Sequence, residues 1–422
     1  MSEMEYTLAL DIGSSKISAF IWRFDHVQQK QLLYQKFNFP CAIYYNNEIY
    51  YGEEALTKGV ENKQYLITNL RYLLGCKYSD SYVNHIKDTI PFKIQKGADD
   101  SVLIEVYENN EVTRKEPLEL LSMIVNHVVD LVKSSKETKE SMEIKYLILA
   151  YPMSYSFSQK QDLRLVASLT GIQHIQLYPE SIALCECYRN ILLKSEKGIV
   201  HVDCGASGCN ISLLKYSNNH FVISDCAYNM WVSGYGIIQI LVEDIIKRLK
   251  ENNRGYSVQN SYDVFQVVEK AVKQFNNEDI VGIDVNGVVL SQEQVNDLYR
   301  EWNSKICRMI QELVQKNEIE VNQIVLTGKG VRLPKLAMMI IETIGVNPII
   351  PDKSEPIGLG LLSLFKEDME KHKDDDYCNV VGNKAWSISK NKYKTIAEYP
   401  IESFPETLTA EELNTGLEFK KE

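Results

Sequence analysis

No run of about 20 apolar residues, the length a helix needs to span the hydrocarbon core of a bilayer, occurs in the 422-residue chain. The sequence therefore predicts no membrane-spanning helix. The opening MSEMEYTLAL lacks a basic leader, a long apolar segment and a small-residue cleavage site. It does not read as an export signal, and a cytoplasmic location is expected. Positive charge is scarce: 46 Lys and Arg stand against 57 Asp and Glu, a net charge of -11. An acidic surface repels phosphate backbones and anionic lipid, which argues against broad nucleic-acid or membrane binding but allows a local basic site inside a cleft. The nine cysteines form no paired C-x2-C ladder, and spacings such as Cys185-x-Cys187 and Cys204-x4-Cys209 do not suit structural zinc. They read as reduced, mostly buried thiols of a reducing compartment. His127, His174 and His201 lack metal-ligand spacing and read as surface or satisfied core groups.

What is present is a balance of 45% apolar and 24% charged residues, that of a globular chain with its own core, at a length that allows two or three folding units. Residues 6–22 run apolar to Leu10, turn at Asp11-Ile12-Gly13-Ser14-Ser15, and run apolar again to Trp22, which predicts strand, tight turn, strand. Residues 198–214 repeat this logic around Asp203-Cys204-Gly205-Ala206-Ser207-Gly208. The repeat, about half a chain away, predicts two lobes of similar topology. Helical spacing predicts helices over 117–134, 158–171, 181–193, 237–250 and 295–316. Apolar runs predict strands over 146–150 and 323–327, the second followed by a Gly328-Lys329-Gly330 loop and a helix to Ile344. Tyr44, Tyr45, Tyr50 and Tyr51 around Asn46-Asn47 read as two short strands and a turn. The alternation of strands and helices points to a mixed α/β fold. Beyond Phe365, residues 366–376 are almost all charged and read as a linker or helix end; residues 378–422 leave added strands, a packed arm and disorder all open.

Small residues in a turn let a phosphate chain approach the backbone, where successive N–H groups form an anion-binding nest. The two hairpin turns have such residues, and the aspartates at their heads can together hold a hydrated Mg2+. Neither hairpin is a Walker G-x4-G-K-[ST] loop, and no G-x-G-x-x-G follows the first strand. A single D-x-G turn is weak as a phosphate signal; a matched pair with a third glycine turn at 327–330 is much stronger.

Six stretches then appear in a telling order: Leu10-Asp11-Ile12-Gly13-Ser14-Ser15; Tyr72-Leu73-Leu74-Gly75; Ala150-Tyr151-Pro152 with Ser158-Gln159-Lys160-Gln161; Glu180-Ser181-Ile182-Ala183; Val202-Asp203-Cys204-Gly205; and residues 325–334, VLTGKGVRLP. Over residues 6–365 they resemble the actin-like ATPase domain of the heat shock protein 70 chaperones. The resemblance implies a ribonuclease H-like duplicated α/β fold with four subdomains around a central nucleotide cleft. Lobe I would cover 1–195, with a small upper subdomain at about 41–116; lobe II would cover 196–368, with an upper subdomain at about 233–308; an acidic linker and C-terminal tail would fill 369–422. It implies ATP or ADP with Mg2+ as cofactors. Phosphates would meet Gly13, Ser14, Ser15 and Lys16, and Gly205, Ala206, Ser207 and Gly208, with Gly234 nearby. Adenosine would meet Glu269, Lys273 and Asn276 and the loop of Gly328, Lys329, Gly330 and Arg332. Asp11 and Asp203 would reach magnesium through water, and Asp11, Arg71, Glu180 and Asp203 would form the catalytic set.

The departures from that family are specific. Arg71 stands where the family has lysine, and its planar fork cannot place a point charge on an attacking water in the same way. Asn210 replaces a second cleft aspartate. Gly208 replaces a threonine, Ser181 a proline, Ser354 an aspartate, Lys329 a glycine and Val272 a lysine. No acidic-leucine linker follows Phe365, and the remaining residues are too few for the family's peptide-binding domain and lid, so chaperoning by that route is not expected. The leading reading is an ATP-binding chaperone or co-chaperone module with nucleotide-controlled lobe closure and slow hydrolysis, meeting a nucleotide-exchange factor or another chaperone. The alternative is a non-hydrolysing pseudo-ATPase scaffold. A filament-forming or sugar-kinase relative of the same fold is a third reading, against which the Ser158–Gln161 stretch and the Glu180 segment argue.

Overall fold

The computed structural model describes residues 6–25, 30–87, 90–134, 143–192, 197–251, 261–275, 281–285, 287–328, 335–351 and 356–371. The expected linker beyond Lys371 and the tail fall outside these, as do Ser354 and residues 329–334. The chain divides into two compact units, one of Met1–Asp80, Phe92–Arg189 and Ser354–Glu422, the other of Ser81–Pro91 and Asn190–Lys353.

In the first unit, a five-stranded sheet runs in the order His174–Pro179, Ile144–Tyr151, Tyr6–Ile12, Lys16–Asp25, Lys30–Pro40. The first three strands are parallel, Lys16–Asp25 runs antiparallel to Tyr6–Ile12, and Lys30–Pro40 runs antiparallel to Lys16–Asp25. Ala9, Phe20, Ile148 and Ala150 face Ala183, Leu361, Leu362 and Phe365 of the helices Glu180–Cys187 and Pro356–Lys371. Residues of the other parity, Leu8, Leu10, Ile17, Ile21, Leu147 and Leu149, are equally buried. A sheet covered on both faces needs apolar residues at every position, which is why these strands read as continuous apolar runs. The predicted helix over 181–193 divides at Tyr188 into Glu180–Cys187 and Arg189–Leu192. Arg189 turns back onto Glu186, with Nε 2.7 Å and Nη2 2.8 Å from its two carboxylate oxygens.

A second sheet of the same unit pairs Glu48–Tyr51, Ala42–Asn46, Val102–Glu108 and Ile94–Lys96, with Leu66–Thr68 and Glu111–Lys115 alongside. Asn47, at φ 57°, makes the turn expected among the tyrosines. Tyr44 and Tyr65 meet edge to face at 5.9 Å, so the aromatics pack against one another.

The second unit holds a four-stranded sheet ordered His220–Asn229, Cys209–Ser217, Gly198–Cys204, Val321–Thr327. Its central strand has a parallel partner on one side and an antiparallel return on the other, the same arrangement that surrounds Tyr6–Ile12. Helices Gly234–Glu251, Ser261–Phe275, Gln292–Asn317 and Leu336–Ile344 contribute to one core with this sheet, which includes the fully buried Trp302. Ser291 caps the helix Gln292–Asn317, and its Oγ accepts the Gln294 N–H at 3.2 Å. Cys41, Cys185, Cys204, Cys209 and Cys307 are buried thiols. Burial pushes the Cys41 thiol up to about 12, so it stays protonated and unreactive. Among the described residues no helix is long and apolar enough to cross a membrane.

The helices Glu180–Cys187 and Pro356–Lys371 touch backbone to backbone: a Cβ on Gly360 would fall 1.6 Å from the Ala183 carbonyl oxygen. Gly360→Ala must push the two helices apart and is expected to cost about 2 kcal/mol of stability, read as a lower urea midpoint at unchanged slope.

Candidate functional site

The first hairpin joins Tyr6–Ile12 to Lys16–Asp25, with Asp11 opposite Ser18. Gly13 N–H donates to the Lys16 carbonyl at 2.8 Å. A Cβ on Gly13 would lie 2.8 Å from that oxygen, so the bend demands glycine. Ser14 is buried, and the Ser15 carbonyl accepts the Cys41 N–H at 3.1 Å. Lys16 opens the return strand, its Nζ 3.5 Å from Asn38 Oδ1.

Arg71 is carried by the single turn Leu70–Leu73, which starts after Asn69 in a left-handed conformation. The helix Phe157–Ser168 holds this segment in place. Ser156 and Gln159 form a capping box, and Gln159 Nε2 reaches across to the Leu74 carbonyl at 3.1 Å. Gly75, at φ 68°, permits the contact, since a Cβ there would lie 2.7 Å from Gln159 Cγ. Arg71 Nη2 then donates to Glu180 Oε1 at 2.5 Å, and its Nε donates to the Tyr155 hydroxyl at 3.1 Å. Glu180, buried, is the first residue of its helix, where the dipole favours a carboxylate. Burial works against the Arg71 charge, but Glu180, Tyr155 and Asp11 outweigh it and hold the guanidinium well above its ordinary value. Burial likewise pushes the Tyr155 phenol up, so it stays neutral and hydrogen-bonding.

The second hairpin is closed in the same way: Gly205 N–H donates to the Gly208 carbonyl at 2.9 Å. Asp203 lies opposite Asn210, and Cys204 opposite Cys209. The hydrogen bond that the Cys209 thiol makes to the Cys204 sulfur, together with burial, holds the Cys209 thiol well above its ordinary value. The bend is tied to the start of the helix Gly234–Glu251, because the Gly234 and Tyr235 N–H groups donate to the Gly205 and Ala206 carbonyls at 3.1 and 3.0 Å. The positive end of the helix dipole therefore abuts the bend. Gly208 lets the Tyr228 ring lie where a Cβ would be, 2.6 Å from the nearest ring carbon, and the Tyr228 hydroxyl donates to the Ser207 carbonyl at 3.4 Å. The Thr327 hydroxyl donates to Asp203 Oδ1 at 2.9 Å. Gly328, at φ 82°, presses on this strand end: a Cβ there would fall 2.2 Å from the Cys204 carbonyl oxygen.

These groups fit a hydrated magnesium ion. Asn210 Oδ1 is buried without a hydrogen-bond partner, on the strand position facing Asp203. An orphan acceptor beside a carboxylate suits a water donor, and magnesium usually keeps several waters. No cluster of three or more His, Cys, Asp or Glu able to hold a metal directly occurs among the described residues.

Sequence-predicted residues thus gather in two places. Asp11, residues 13–16, Arg71 and Glu180 belong to the first unit; Asp203, residues 205–208, Gly234 and Gly328 belong to the second. Glu269 is half-buried on the separate helix Ser261–Phe275, which also carries the backbone of Lys273. Asn276, Lys329, Gly330 and Arg332 lie outside the described residues. Sequence reasoning missed Tyr155, Thr327 and Tyr228. Each acts on a residue far away in the chain, and none carries a local signal beyond its type.

A mixed α/β protein in which two similarly ordered sheets each end their central strand in an aspartate-led, glycine-closed bend is the class that fold and site define. A family model described as Hsp70 protein matches residues 35–355. The chain belongs to the Hsp70 family and carries its nucleotide-binding domain, and the several sheets and helices fit that family's actin-like ATPase fold. It is similar to heat shock 70-related protein 5 of Dictyostelium discoideum, with 21% identity over 321 residues, covering 69% of this chain and 60% of that relative. The chain therefore matches less than two thirds of the relative's length.

Two outcomes test the support beneath Arg71. Glu180→Gln leaves a buried guanidinium without its counter-charge and is expected to destabilise the fold by about 3 kcal/mol, read by chemical denaturation. Asp162, whose Oδ2 lies 3.3 Å from where a Gly75 Cβ would be, has its carboxyl pushed up by burial and by Glu116 to about 6. Because the folded acid holds its proton more tightly than the unfolded one, stability falls as pH rises from about 4 to about 6. Asp162→Asn is expected to stabilise the fold by about 1 kcal/mol at neutral pH and to lose that gain in acid, in denaturation series at both pH values.

Proposed function

We propose that this chain is an ATP-binding, Hsp70-like chaperone or co-chaperone module whose conformation follows its nucleotide. The observation that carries the reading is the pair of matched bends, each closed by a glycine N–H and led by Asp11 or Asp203. In this reading the residues at 13–16 and 205–208 hold phosphates. Glu269, Lys273, Asn276, Gly328, Lys329, Gly330 and Arg332 hold adenosine, and Asp11 and Asp203 hold magnesium through water. Magnesium, when bound, would offset phosphate charge. The four-subdomain layout, the boundaries at 195 and 368, and closure on nucleotide are part of the same proposal, supported by family membership. So are a cytoplasmic location and partners of the exchange-factor or chaperone kind.

Hydrolysis is slow in this reading. The Arg71 guanidinium is engaged by both Glu180 and Tyr155, so it cannot turn to orient an attacking water as a compact ammonium would. Asn210, being neutral, cannot accept a proton from that water. The same two facts, with the Tyr228 ring over Gly208, favour the second reading, a scaffold that binds without cleaving.

Calorimetric titration of the full chain with Mg-ATP decides whether nucleotide binds; saturable heat is expected, and its absence overturns the proposal. Where binding is found, single-turnover hydrolysis separates the two readings. Arg71→Lys is expected to raise that rate about tenfold; intact ATP in both proteins leaves the scaffold.

A further inference from the structure

His201 lies on the central strand Gly198–Cys204, two residues before Asp203 and on the same face. It is 1% exposed. Its Nε2 is 2.7 Å from Thr327 Oγ1, and Thr327 donates to Asp203 Oδ1 at 2.9 Å. Thr327 occupies the position opposite Asp203 on the parallel neighbour strand. A hydroxyl has one proton. Donated to a carboxylate, which when ionised only accepts, that proton leaves the threonine oxygen to accept from the imidazole. Nε2 of His201 must then carry hydrogen. The bonds run in one direction, from His201 through Thr327 to Asp203, and each polarises the next. Gly328 holds Thr327 in register: a Cβ there would stand 3.0 Å from Asp203 Oδ1 and 2.2 Å from the Cys204 carbonyl oxygen, so only glycine lets the strands come this close.

We propose that His201 and Thr327 are positioning residues for Asp203, fixing the rotation of its carboxylate so that it is preset for a hydrated divalent cation. The purpose of that cation rests on the nucleotide reading above; the hydrogen-bond chain does not. The buried imidazole of His201 and the half-buried hydroxyl of Thr327 face one another here and reach Asp203 in two steps. A carboxylate already held by a hydrogen bond has less rotation to lose each time an ion binds.

The test titrates full-length wild type, Thr327→Val, Thr327→Ser and His201→Leu with ATP, once with magnesium and once with EDTA. Thr327→Val and His201→Leu are each expected to weaken Mg-ATP about tenfold and to leave metal-free ATP unchanged, with Thr327→Ser restoring wild-type affinity. Equal weakening with and without magnesium, or none, overturns the proposal. If wild type binds ATP under neither condition, the nucleotide reading fails, and nitrogen NMR of the His201 imidazole in the nucleotide-free protein judges the positioning chain. A ring protonated at Nε2, its signal perturbed in Thr327→Val, supports the chain; an Nδ1–H neutral tautomer, with Nε2 bare, overturns it.

Discussion

The central strand of each sheet is hydrogen-bonded on both sides and cannot move without breaking two ladders. At its carboxyl end each such strand delivers an aspartate into a bend closed by one glycine N–H. Ligands of open α/β sheets gather at strand carboxyl ends, because the backbone there leaves its ladder and turns. The buried apolar faces of both sheets serve this arrangement by fixing the strand, hence the bend, hence the aspartate.

Around these fixed points the two units use different means. The first surrounds Asp11 with charge: the Arg71 cation, held by Glu180 and Tyr155, acts on it electrostatically. The second ties Asp203 to the Thr327 hydroxyl, which in turn meets His201, and sets Asn210 opposite it on the next strand. A buried ion pair is rigid when complete and costly when broken, so the first arrangement suits a group that stays put. A hydroxyl donor orients a carboxylate without cancelling its charge.

Much of this was legible in the residue order. Strand, bend and strand at 6–22 and 198–214 follow from apolar runs punctuated by Asp, Gly and Ser, because a covered strand needs apolar residues and a tight bend needs small ones. The helix at Pro117–Lys133 follows from its apolar period, and its capping box, completed by Glu116 and Glu119, sharpens its start. The break at Tyr188 did not follow: the backbone leaves helical angles there, at φ -103° and ψ 17°, and apolar periodicity does not encode that departure.

The sequence by itself determined which residues could bend, bury or carry charge: Gly13, Gly205, Asp11 and Asp203 are fixed by local chemistry. Only the tertiary structure decided what those charges meet. Tyr155 finds Arg71 across 84 positions and Thr327 finds Asp203 across 124. A side chain's hydrogen-bond partner is set by which strands and helices pack together, and packing joins residues that no local pattern connects.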